Sequence, residues 1–103
     1  MRESFSVDVL RTHLDTVIDP EIGIGIAALG LIRDIHIMYD EEGIPASTHV
    51  IMTLTTPFCP YADAIIEQVE TTITLHGFGT PTVELSFDPP WQPSEDLRLT
   101  LGI

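Results

Sequence analysis

A single cysteine, Cys59, lies in the run Thr53-Leu54-Thr55-Thr56-Pro57-Phe58-Cys59-Pro60, at a change of hydrophobic period. Upstream, Val50, Met52 and Leu54 alternate with Ile51, Thr53 and Thr55, the period of a strand. Downstream, Ala62, Ile65, Ile66, Val69 and Ile73 recur at helical spacing. Cys59 is therefore expected where a strand gives way to a helix, near the first turn. Pro60 suits the first helical position, where its missing N–H has no partner to lose. Free N–H groups and the positive helix end favour a thiolate, which makes Cys59 a candidate nucleophile or soft-metal ligand. The alternative is a small buried hydrophobe, the usual state of a lone cysteine.

Other chemistry-bearing residues fall in loops and at strand positions. Asp19-Pro20-Glu21-Ile22-Gly23-Ile24-Gly25-Ile26 is irregular by its glycines and proline, yet its isoleucines must pack. An acidic loop pinned in this way can hold side chains at a site; an Asx turn formed by Asp19 is the simpler account. His13, His36, His49 and His76 lack HExxH spacing. His36 and His49 are expected to face each other across a hairpin. His49 lies toward the opposite end of its strand from Cys59, so zinc shared by those three is not expected. His76-Gly77 reads as a helix C-terminus. Trp91, aimed by Asp88-Pro89-Pro90, is either a core anchor or the cover of a site. Phosphate-binding glycine loops and a nucleophile-elbow serine are absent, and no base accompanies Cys59, so no enzyme activity is expected.

The elements that position these residues follow from periodicity. Residues 6–17 read as an amphipathic helix capped by Ser6 and stopped by Pro20. Leu29 to Met38 reads as a strand with Leu29, Leu31, Ile35 and Ile37 on one face and Ile32, Asp34 and His36 on the other. Asp40-Glu41-Glu42-Gly43 turns into a second strand over 47–55. A helix over 61–75 leads to a third strand over 82–87, with Val83, Leu85 and Phe87 inward. Ser94 opens a short terminal helix docked by Leu97 and Leu101 and ended by Gly102. The order α-β-β-α-β plus a short helix predicts an α+β two-layer fold. Its three-stranded mixed sheet carries helices on one face, and a right-handed crossover makes strands two and three parallel. Ile32 and Ile51, off the main parity, suggest that the other sheet face meets a partner.

At 103 residues the chain is expected to form one domain, residues 1–103. One cysteine excludes an internal disulfide and a self-sufficient four-cysteine metal site. Four basic residues against sixteen acidic ones give a net charge of −12, which makes nucleic acid and anionic membranes poor partners. With no apolar window of the ~20 residues a membrane span needs, and no signal-peptide core, a cytoplasmic location is expected.

Asp19-Pro20-Glu21, Leu29-Gly30-Leu31-Ile32, Met52-Thr53-Leu54-Thr55 running into Cys59-Pro60, and Asp88-Pro89-Pro90-Trp91 stand in one register across nearly the whole chain. In that register the sequence resembles the small iron–sulfur assembly-factor family that includes SufT-like and PaaD-like proteins. The chain stops at Ile103 without a cysteine-rich tail, so the resemblance is to the minimal domain. It implies an accessory factor in iron–sulfur cluster assembly or metalloprotein maturation. The partners it implies are iron–sulfur assembly proteins or apo-metalloprotein clients, and a homodimer is compatible with it. Carried onto this chain, the family's motif residues are Cys59, Asp19, Glu21, Thr55 and Trp91. Cys59 is the candidate ligand of iron or a labile iron–sulfur cluster shared between chains. The competing expectation is a protein-interaction adaptor, for example for a metal-dependent oxygenase, with Cys59 structural.

Overall fold

In the computed structural model, which describes residues 5–55 and 60–102, the elements run α1 (Val7–Leu14), β1 (Ile32–Tyr39), β2 (Pro45–Met52), α2 (Ala62–Leu75), β3 (Thr80–Leu85) and α3 (Glu95–Leu101). β1 and β2 are antiparallel, β2 and β3 parallel, and the sheet order is β1-β2-β3. The expected α+β order and mixed sheet are present. Among the described residues, no helix is long and apolar enough to cross a membrane.

The core forms where both helices meet one sheet face. Leu10 and Leu14 of α1 join Ile65, Val69 and Ile73 of α2 over Ile35, Val50 and Met52, all buried. Inward rows across the strands are Ile32–Met52–Leu85, Ile35–Val50–Val83 and Ile37–Thr48–Pro81. Phe78 closes the far end: it is fully buried, meets Phe5 edge-on at 5.6 Å, and its carbonyl accepts from Thr48 Oγ1 at 2.7 Å. Gly79 has φ +80 and sits so close to the backbone of Ala46 that a Cβ would lie 2.4 Å from its carbonyl carbon. Only glycine fits both conditions there.

Several expectations are corrected. Ile32 is buried, not on the open face. The register slips at Arg33, which is the extra residue of a bulge between Ile32 and Asp34, and the slip reverses the strand parity. A second slip, at Ala46, lets β2 begin at Pro45 rather than 47. β2 ends at Met52, although Thr53 N still donates to Leu31 O at 2.8 Å. β3 begins at Thr80 and ends at Leu85, so Phe87 lies beyond it and is exposed. α1 ends at Leu14, because Thr16 and Val17 hydrogen-bond three residues back instead of four. Pro60 is not the first helical residue: α2 starts at Ala62, with Tyr61 as its N-cap. Pro60 therefore precedes the cap, and Cys59, two positions before Tyr61 in sequence, lies outside the described residues. The docking expected of Leu97 and Leu101 concerns side chains outside those described; Gly102 does end α3, with φ +74.

The two helix C-termini meet. His13 in the last turn of α1 stacks on His76, the C-cap of α2, with ring centroids 3.8 Å apart. Partial burial, and then the like charge of His76, hold His13 below the ordinary histidine pKa. A base with a lowered folded-state pKa takes up protons more readily when unfolded. Its contribution to stability is thus fully present above the unfolded value and is lost as the pH falls through the folded one. Chemical denaturation between about pH 7 and about pH 5 should show stability falling with pH, and His13→Gln should reduce that slope. At constant pH, Phe78→Ala should destabilise by about 3–5 kcal/mol in the same measurement.

Candidate functional site

The loop after α1 folds back on itself. Ile18 and Gly25 form an isolated antiparallel bridge, and Asp19 N donates to Ile24 O at 3.0 Å. Asp19 O accepts from Ile22 N and Gly23 N. Gly25 is forced by closeness: a Cβ there would lie 2.2 Å from Asp15 Oδ1 and 2.3 Å from Asp15 O. Asp15 Oδ1 in turn accepts from Ala28 N at 2.9 Å, which fixes the approach to Leu29.

This loop is laced to the sheet through backbone bonds. Ile26 N donates to Val17 O, Leu31 N to Ile26 O, and Thr53 N to Leu31 O. Trp91 Nε1 donates to Leu29 O at 2.7 Å, and the ring packs against the core. Arg33 Nη2 bonds Pro89 O and so ties down the proline segment before the tryptophan. Three consecutive residues, Met52, Thr53 and Leu54, are buried, so this end of β2 is covered on both faces.

Asp19 is fully buried. Its Oδ1 accepts from Glu21 N at 2.8 Å, the Asx turn that the sequence suggests. Its Oδ2 is different: it is buried and has no hydrogen-bond partner among the described residues. Thr53 Oγ1 is in the same condition. A desolvated polar atom without a partner is costly, by about 1–3 kcal/mol and more for a charged group. The Asx turn accounts for one carboxylate oxygen and leaves the other available for a donor or a cation.

The remaining expected residues divide. Glu21 contributes its backbone N–H to Asp19, while the residue itself is exposed. Thr55 is half-buried in the bend after β2. Trp91 is an anchor to Leu29 O. Cys59 lies outside the described residues. Thr53 was the one overlooked by periodicity. Its strand parity assigns it outward, and only cover on both faces buries it. Among the described residues, no group of three or more His, Cys, Asp or Glu side chains is arranged to hold a metal ion.

A family model described as iron–sulfur cluster assembly protein matches residues 8–85. The Fe-S protein maturation auxiliary factor YitW of Bacillus subtilis is 34% identical over 107 residues, covering 100% of this chain and 99% of that protein. The Staphylococcus aureus Fe-S protein maturation auxiliary factor SufT is 36% identical, covering 84% of this chain and 98% of its own. Among solved structures, a DUF59 domain of unknown function from Bacillus anthracis superposes with a TM-score of 0.77 at 31% identity, covering 98% of this chain and 94% of that one.

The divided roles of Asp19 make its substitutions separable. Asp19→Asn keeps an oxygen for the Glu21 N–H, so its urea midpoint should stay close to that of the parent. Asp19→Ala also removes the turn bond and should cost about 1–3 kcal/mol. Equal losses in both variants would mean that Oδ2 has a structural role as large as that of Oδ1.

Proposed function

We propose, from the premise that the chain belongs to the iron–sulfur cluster assembly protein family, that it is an accessory factor in the maturation of iron–sulfur proteins. In this reading the cargo is iron or a labile cluster, and Cys59 is its thiolate ligand. The observation that carries the reading is the pair of buried polar atoms that have no partner among the described residues, Asp19 Oδ2 and Thr53 Oγ1. Thr53 lies six positions before Cys59 on the same segment. The donor set fits a transient cargo better than a resident metal. One thiol per chain cannot saturate a cluster, so a second chain or a client must complete the coordination. Asp19 Oδ2 would offer an oxygen to iron or accept a proton from an incoming thiol. Trp91 would keep the Leu29–Leu31 segment in place beside the site. The protein partners are iron–sulfur assembly proteins or apo-metalloprotein clients, and a non-enzymatic role in the cytoplasm is consistent with this.

Anaerobic reconstitution with ferrous iron and sulfide, in parallel with Cys59→Ser and Asp19→Asn, tests the reading. Wild type should show thiolate-to-iron charge-transfer absorption with about two chains per cluster. Cys59→Ser should lose it, and Asp19→Asn should retain the fold but load less iron. If neither wild type nor Cys59→Ser takes up iron where an established carrier does, direct ligation is wrong. The domain would then be an adaptor that acts by binding its client.

A further inference from the structure

α2 buries one stripe, Ile65, Val69 and Ile73, and turns its opposite side away from the core. On that side Glu67, Glu70, Thr71, Thr74 and Leu75 line a shallow, largely apolar hollow of about 400 Å³. Counted from Glu67, they stand at i, i+3, i+4, i+7 and i+8, the spacing of one continuous helix face. Leu75, at the C-terminal end of this face, is 76% exposed. An exposed leucine by itself needs no explanation. This one closes a hollow whose other lining residues, two threonines and two glutamates, present mostly apolar surface to it.

The face also lacks a counter-charge of its own. Asp63, Glu67 and Glu70 follow one another at i+4 and i+3, spacings at which like charges disfavour a helix and opposite charges support it. Yet α2 has no lysine or arginine, and neither occurs anywhere between Arg33 and Arg98. Among the described residues neither Glu67 nor Glu70 has an ion-pair partner. A second copy of the chain is a poor source of the missing charge. It brings a net charge of −12, its Arg11 is engaged by Ile32 O and its Arg33 by Pro89 O, and its Arg98 follows Glu95 and Asp96.

We propose that this face of α2 docks a basic, amphipathic helical segment of a partner protein. The segment seats an apolar side chain against Leu75 and sets lysine or arginine side chains beside Glu67 and Glu70. A hollow running along a helix face suits recognition of a helix through anchors one turn apart. The apolar contact holds the segment, while the opposite charges speed the encounter and select the partner. The surface is distinct from the loop of Asp19 and the end of β2, where Asp19 and Thr53 are fully buried, and it requires nothing of Cys59.

The test uses the full-length chain and a synthetic helical peptide of about 20 residues. The peptide carries one leucine, with arginines one turn to either side on the same face. One control peptide keeps that composition but moves the arginines to the opposite face. Fluorescence anisotropy should show saturable binding of the first peptide that weakens as salt is raised, and its amide NMR shifts should centre on Glu67 to Leu75. Leu75→Ser, and separately Glu67→Gln with Glu70→Gln, should each weaken binding by at least about fivefold. Circular dichroism should show both variants folded, since none of these side chains is buried. Glu41→Gln with Glu42→Gln removes the same amount of charge from the exposed turn between β1 and β2, and should change affinity by less than about twofold. Cys59→Ser should bind as wild type does; no iron is present, so the outcome is independent of the cargo reading. The proposal is overturned by absence of saturable binding, by equal binding of the control peptide, or by an equal loss in the Glu41 and Glu42 variant. It is also overturned by self-association of the wild type that depends on Leu75, which would make a second copy the occupant.

Discussion

The hydrogen bonds made by the Leu29–Leu31 carbonyls are the constraint on which this end of the molecule depends. Leu29 O accepts the indole N–H of Trp91, a residue 62 positions away, and Leu31 O accepts the N–H of Thr53. One short segment thereby joins the C-terminal proline run to the exit of the central strand. Buried backbone carbonyls must find donors, and these two find them in distant parts of the chain. The acidic loop is tied to the same segment through Leu31 N to Ile26 O and Leu29 N to Gly25 O. If Leu29 moved, the loop and the strand exit would move with it. The helices and sheet supply the apolar core, but this ladder places Asp19 relative to the strand that leads to Cys59.

Against that well-satisfied background stand two buried polar atoms with no partner among the described residues, Asp19 Oδ2 and Thr53 Oγ1. Thr48 is as buried as Asp19 and Thr53, yet its hydroxyl has a partner in Phe78 O. The fold therefore satisfies a buried hydroxyl where only structure is at stake. Sequences that fold well tend to break such local rules at sites where another requirement applies. Asp19 adds charge to the case, because a carboxylate oxygen removed from water without a donor costs more than a hydroxyl does. Polar groups of this kind become favourable once a proton donor or a metal ion arrives.

Much of the fold was legible because periodicity reports which face of an element is buried. Val50 and Met52 on β2 and Ile65, Val69 and Ile73 on α2 lie where spacing puts them. Ile32 did not, since a single bulge residue, Arg33, reverses parity without any change in composition. The cap at Tyr61 was missed for a related reason. Proline at position 60 is compatible with the first helical turn and equally with the turn before it, and its local chemistry does not choose. The site was partly legible. The Asx turn of Asp19 follows from residue type, just as the cross-strand meeting of His36 and His49 on the open sheet face follows from hairpin register. The Oδ2 without a partner among the described residues does not, because residue type and spacing do not say how deeply the folded loop buries one carboxylate oxygen.

Charge bears on what can approach the candidate site. A net charge of −12 on 103 residues gives a potential that concentrates cations near the surface and repels nucleic acid. It also limits how two copies can meet. Bringing two such chains together around a shared cargo places like charges side by side, at a cost that rises as the salt concentration falls. A positive cargo reduces that repulsion, and so does a basic client. Because each chain has one thiol, the coordination sphere of a cluster cannot close on a single chain. In the proposed reading, stable binding of the cargo by an isolated chain is therefore disfavoured, while coordination completed by an incoming client is not. That asymmetry suits a factor that passes its cargo on, since the partner which supplies the missing ligands is also the one able to take the cargo away.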